Sequence, residues 1–196
     1  MQRRRRRQSG LACYNLVEIV LALGVVAIGI VSIMGLFPVG LNANRDAVAQ
    51  SYAADSADQL LHWYAVRTKN NWSYYTASDW LPDTKQDGTD AAGMETDSWA
   101  VQSTNMPNVR FEKHQSTNGL YRMTVSRGSG AADIVEFSGL YRMWQDAVEC
   151  PVMSGMPVPI PATQAVAINL EVSWPAELPY SRRQQETYRL EIFNPQ

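Results

Sequence analysis

The side chains able to do chemistry are few and scattered. The chain holds two histidines, His62 and His114, and two cysteines, Cys13 and Cys150. Neither histidine has a nucleophile or a metal-ligand partner at a recognisable spacing. Asp83, Asp87, Gly88 and Asp90 resemble part of a calcium loop, but Lys85 at its third position and Met94 at its twelfth depart from the EF-hand pattern. A solvated acidic loop is the expectation, with no metal and no cofactor. Gly128-x-Gly130 is a turn, and no phosphate-binding loop or dinucleotide fingerprint accompanies it. Asn71-Trp72-Ser73 fits a glycosylation triplet, a pattern that arises often by chance. No catalytic constellation emerges, and a non-enzymatic protein is expected.

One acidic residue stands apart by its surroundings. Glu18 lies at the entrance to a run from Ile19 to Phe37, 19 residues without a charge, of which only Ser32 is clearly polar. A helix rising about 1.5 Å per residue over that run nearly crosses a hydrocarbon layer of roughly 30 Å. A carboxylate at such a depth is costly unless paired, less so near the interface. Two local roles would also account for it. Asn15 and Glu18 have the spacing of a capping box, and an acid in the first turn gains from the helix dipole.

The charge distribution orients this segment. The chain has 17 Lys and Arg against 19 Asp and Glu, a net −2, but five of the bases are Arg3 to Arg7. Without residues 1–13, twelve bases face nineteen acids, a balance of −7. The arginines are expected to stay cytoplasmic and the acidic remainder to cross. An acidic body lacks the basic footprint of nucleic-acid binding, so no nucleic-acid partner is expected. Common processing signals fit poorly. Ala47-Val48-Ala49 lies too far beyond the apolar run for signal peptidase, and Leu11-Ala12-Cys13 precedes that run where a lipoprotein cysteine follows it. The arginine run alone is better read as a topology determinant than as a twin-arginine signal.

The stretch Cys13-Tyr14-Asn15-Leu16-Val17-Glu18-Ile19-Val20-Leu21-Ala22-Leu23-Gly24, behind a short basic leader, resembles the N-terminus of type IV prepilins and type II secretion pseudopilins. The resemblance covers about residues 9–41. It implies cleavage between Cys13 and Tyr14 by a prepilin peptidase, N-methylation of Tyr14, and Glu18 as the fifth mature residue, directing subunit assembly. The family has glycine before the cut where this chain has Cys13; taking Gly10 for that glycine would place Glu18 eighth. The implied protein is a minor pilin or pseudopilin, anchored in the bacterial inner membrane with its C-terminal domain outside. Its implied partners are other pilins, the prepilin peptidase and inner-membrane lipid. The competing expectation is a signal-anchored extracytoplasmic binding domain that never polymerises.

The elements that would carry these residues follow from periodicity. Pro38, between Gly35 and Gly40, is a helix-bending signal, yet residues 41–67 lack proline and place Ala49, Ala53, Ala57 and Leu61 at i+4 spacing. Either one long bent helix results, or a membrane anchor joined to a second helix by a linker at Pro38–Asn44. Residues 68–118 are turn-rich, and their aromatics, Trp72, Tyr74, Tyr75, Trp80 and Trp99, are expected in a partial core. Leu120–Arg127, Ile134–Trp144, the alternation from Val166 to Trp174, and Tyr188, Leu190 and Ile192 predict strands forming a sheet with one buried face. The expected fold is α+β: a long N-terminal helix packed on an antiparallel sheet. Its expected divisions are a leader at 1–13, an assembly helix at 14–41, an amphipathic helix at 42–67 and a β-rich head at 68–196. The proline-rich stretch after Cys150 reads as an irregular loop or an edge, and Cys150 as a buried or free thiol.

Overall fold

A computed structural model describes residues 15–76, 80–85, 99–103, 108–128, 133–151 and 157–195, with the side chains of Tyr74, Thr76 and Ser103 outside the description. One helix, α1, runs from Leu16 to Asn70 without interruption and contains Pro38. Proline removes one backbone donor, and a long helix absorbs a single such loss. The chain divides into two compact units between Ala47 and Val48.

In the first unit, every described residue of α1 is exposed. The segment is long and apolar enough to cross a membrane.

In the second unit, α1 continues with a different pattern. Ala53, Ala57, Leu60, Leu61, Tyr64, Ala65 and Thr68 are buried, spaced three and four apart as one face of a helix requires. That face covers a six-stranded antiparallel sheet with strand order β1-β2-β3-β4-β7-β8. The strands are β1 (Trp99–Ser103), β2 (Val109–His114), β3 (Leu120–Arg127), β4 (Ile134–Asp146), β7 (Ala165–Trp174) and β8 (Gln184–Phe193). A two-stranded ribbon, β5 (Glu149–Cys150) with β6 (Val158–Pro159), is inserted between β4 and β7. The fold is thus α+β, a long N-terminal helix on an antiparallel sheet.

The helix-facing core joins Met123 and Val125 of β3, Phe137, Tyr141 and Met143 of β4, Val166 to Trp174 at alternate positions of β7, and Ile192 of β8. Two fully buried alanines, Ala53 and Ala57, let the helix axis approach the sheet closely. Three polar contacts pin it there. Ser56 Oγ lies 2.5 Å from the Tyr141 hydroxyl, the Tyr64 and Tyr121 hydroxyls are bonded to each other, and Gln50 Nε2 donates to Glu186 Oε1 at 2.6 Å. Gly119 turns the chain into β3 with φ +75°, and a side chain there would press on the Met143 carbonyl. Glycine alone meets both demands.

Two features depart from the sequence expectation. The turn-rich region contributes two strands, β1, only five residues long, and β2, whose alternation is obscured by the charged residues Arg110, Glu112 and Lys113. The sheet is also covered on its second face over β7, all ten residues of which are buried, while β8 stays largely exposed. On that face Lys85 and Tyr180, of the 3-10 turn Tyr180–Arg182, carry their side chains onto Glu171, while Trp80 and Leu81 pack into the helix-facing core. The expected aromatic core is present in part, with Trp80 and Trp99 buried and Trp72 and Tyr75 packed against the main cluster.

Candidate functional site

Glu18 sits in the first turn of α1, where the backbone N–H groups of Glu18 and Ile19 donate to the Asn15 carbonyl at 2.9 and 3.2 Å. The helix therefore begins at Asn15 through its main chain. Among the described residues neither side chain accepts from the other's backbone N–H, so the reciprocal capping box is not formed. Among the described residues the Glu18 carboxylate has neither a hydrogen-bond donor nor a cation paired with it. It is exposed on a shallow apolar patch with Asn15, Val17, Leu21, Ala22 and Val25. Its place in the first turn still gains from the helix dipole.

Further along, the apolar segment satisfies its own polar groups. Ser32 Oγ donates back to the Ile28 carbonyl at 2.8 Å, which removes the one hydroxyl from competition. A second apolar patch, lined by Ile30, Ile33, Met34, Phe37, Pro38 and Leu41, lies where proline interrupts the ladder. At Gly24, Gly29, Gly35 and Gly40 an added methyl group would meet nothing within 4 Å. Their small size serves no packing among the described residues.

Cys13 and Tyr14, the residues flanking the expected cleavage, lie outside the described residues, as do Asp87, Gly88, Asp90 and Met94 of the acidic loop. The described start of that loop is tied down. Asp83 accepts from Gln145 Nε2, and Lys85 is bonded to Glu171. Among the described residues no group of three or more His, Cys, Asp or Glu side chains converges for a metal. The two histidines are far apart in role. His62 is exposed on α1 and paired with Asp58 at 3.4 Å, whereas His114 is buried in β2, edge-on to Trp99 with ring centroids 5.1 Å apart. Cys150 is a free, exposed thiol in β5. Asn71 and Ser73 are both exposed, with Ser73 Oγ donating to Asn71 Oδ1 at 2.6 Å.

The second face of the sheet holds charges that sequence reasoning missed. Glu171 of β7 is almost fully buried, with Arg142 Nη1 3.5 Å away and the Tyr180 hydroxyl donating at 3.0 Å. Lys85 closes the group, and the Arg142 guanidinium lies 4.4 Å above the Tyr180 ring. Burial disfavours the charged form of Lys85, but the bonds to Glu171 and Tyr180 outweigh it and hold its pKa above the ordinary lysine value. Glu112 of β2 is buried between Arg110 at 2.7 Å and Arg122, whose Nε donates at 2.8 Å. Buried charges persist only when paired. These pairs are built across neighbouring strands, Glu112 opposite Arg122 and Glu171 opposite Arg142. The Glu171 group holds Lys85 and the Tyr180 turn on the sheet.

Comparison with protein-family models, with curated proteins and with solved structures yields no match to this chain.

Proposed function

We propose that the chain is a non-enzymatic subunit of an inner-membrane filament, of the minor pilin or pseudopilin kind, and that Glu18 directs its assembly. The observation carrying this reading is the Glu18 carboxylate, unpaired among the described residues, at the start of a helix whose apolar surface is exposed throughout the first unit. In lipid, an unpaired carboxylate is penalised, and a cation from another molecule relieves the penalty only when the two charges meet in register. A free α-amine at Tyr14 of a neighbouring copy, produced by cleavage after Cys13, would be such a cation. The exposed glycines favour close helix approach, since small residues allow backbones to come together in membranes. In this reading the head is extracytoplasmic, and the partners are other pilins, the prepilin peptidase and inner-membrane lipid, with no nucleic acid.

Intact mass of the membrane-extracted protein tests it. Loss of residues 1–13 with a methylated Tyr14 is expected; a retained arginine-rich leader, in cells with an active prepilin peptidase, would instead identify a signal-anchored domain that never polymerises. Glu18→Ala should leave membrane insertion intact and remove the chain from the sheared filament fraction. Normal incorporation of that variant would sink the role given to Glu18.

A further inference from the structure

We propose that the end of the head at which α1 enters it rests on the lipid headgroup layer, with Val48, Ile134, Val135 and Leu178 as the side chains that meet the lipid. The inference rests on the membrane-anchored part of the reading above and is independent of cleavage and assembly.

The direction of the elements within the second unit locates that end. Gln50 is bonded to Glu186 near the start of β8, and the Tyr52 ring lies 5.7 Å from that of Phe137 near the start of β4. One turn further along α1, Ser56 meets Tyr141 in the middle of β4. The Tyr64 ring then lies 5.2 Å from that of Trp80, whose indole donates to Gln145 near the end of β4. Just past the helix, Trp72 donates to the Ala162 carbonyl, ahead of β7. Strand β4 therefore advances in the same sense as α1, and its first residues lie at the entry end. The turn from Pro175 to Leu178 lies there too, since the Ala176 N–H donates to the Ser138 carbonyl at 3.0 Å.

Four large apolar side chains from three elements are exposed at this end: Val48 by 46%, Ile134 by 67%, Val135 by 54% and Leu178 by 39%. Ile134 and Val135 are consecutive. A strand lying on a core turns one of two successive side chains inward, so exposure of both means that β4 projects past the core before burial begins at Phe137. The charges beside them form no block of one sign. Arg127, opposite Ile134 in β3, is paired with Glu136 at 2.6 Å, which leaves Asp133 as the exposed acid next to that pair.

The chain itself indicates what covers this apolar end. Ten residues, 38–47, separate the apolar run ending at Phe37 from Val48. As helix they rise about 15 Å, and the headgroup layer outside the hydrocarbon takes up roughly 5–7 Å of that distance. Ile134 lies three residues before Phe137, about 10 Å at the rise of a strand. The tether sets a distance and no angle, but it keeps this end of the head within reach of lipid. Exposed apolar side chains held at a membrane surface sink into the boundary between headgroups and acyl chains. The contact belongs to the chain while it is in the membrane and is given up on extraction.

The test uses the full-length chain with Cys13→Ser and Cys150→Ser, reconstituted sparsely into vesicles of phosphatidylethanolamine and phosphatidylglycerol. One cysteine at a time replaces Ile134, Val158 or Leu23 and carries an environment-sensitive fluorophore. Nitroxide quenchers are placed either on headgroups or deep in the acyl chains. Val158, in the ribbon near Ala162 and so at the opposite end of the head, is the exposed reference. The headgroup nitroxide is expected to quench the label at 134 at least about threefold more than the label at 158. With the label moved to Leu178, Ile134→Asp together with Val135→Asp should bring its quenching down to the reference. Equal quenching at 134 and 158, with the Leu23 label quenched by the deep nitroxide, overturns the contact and leaves the membrane anchor standing. An unquenched Leu23 label overturns both. Shielding at 134 that appears only at high protein-to-lipid ratio, without quenching, assigns the surface to a second copy and overturns the lipid contact as well.

Discussion

At the scale of single residues, Glu18 and Glu171 make opposite use of the same side chain. Glu18 has no partner among the described residues and is exposed, whereas Glu171 is enclosed by Arg142, Lys85 and Tyr180. The first is suited to a partner from outside; the second has its partners already. Removing the charge of Glu171 would leave the buried Arg142 guanidinium uncompensated and release Lys85. Breaking a buried pair from one side costs about 3–5 kcal/mol. Glu171→Gln is expected at the lower end, about 3 kcal/mol, since Lys85 can move its ammonium to solvent. Urea unfolding of the detergent-solubilised chain, followed by tryptophan fluorescence, measures this. A change under about 1 kcal/mol would show that the pair is structurally idle.

At the scale of elements, the long helix is defined by two different surfaces. The apolar run and the i+4 spacing of Ala53, Ala57 and Leu61 were both legible in the sequence, because a helical face repeats regularly and α1 keeps its period. Strands β3, β4, β7 and β8 were legible for the same reason at period two. What the pattern could not disclose was the second face of the sheet. Asn169, Glu171 and Ser173 have the polarity of solvent-facing positions, yet all three are buried, and at Glu171 the cover is supplied by Lys85 and Tyr180, distant in sequence. Alternation reports polarity, and burial of a polar face depends on which loops return to it. For the site, Glu18 could be singled out from its apolar surroundings, while its want of a partner required coordinates. The packing of α1 makes its own prediction. Ala57 is fully buried between helix and sheet, so Ala57→Leu inserts a branched side chain where there is no room. Overpacking of that kind costs about 1–3 kcal/mol. The midpoint of urea unfolding should fall, whereas the same change at exposed Gln59 should leave it nearly unmoved.

For the whole molecule, the acidic head should fail on the alkaline side. Burial raises the pKa of the Tyr141 hydroxyl, opposed only in part by its bond to Ser56. Burial and the bond to Glu186 raise that of Tyr188, and Lys85 is raised as well. Groups whose folded pKa exceeds the unfolded value hold their protons more tightly in the native state. Their stabilisation is complete below the unfolded values, about 10 for tyrosine and 10.5 for lysine, and is lost as pH climbs through the folded ones. Thermal midpoints of the full chain should carry no loss from these three groups between pH 7 and 9 and decline above about pH 10. Phe substituted for Tyr141 should flatten part of that decline.

The sheet's two margins bear on how such a molecule meets its own kind. An open strand is an invitation to any other strand, and β-rich domains at high local concentration risk fusing into fibrils through it. Here β1 is interrupted by a register shift between Val101 and Ser103, and β8 sets Glu186, Arg189 and Glu191 along its length. Both devices discourage edge-to-edge growth. In the proposed filament, a chain crowded among copies of itself would thereby be kept from the one mode of polymerisation that is hard to reverse, with its helix left as the surface through which association is made and undone.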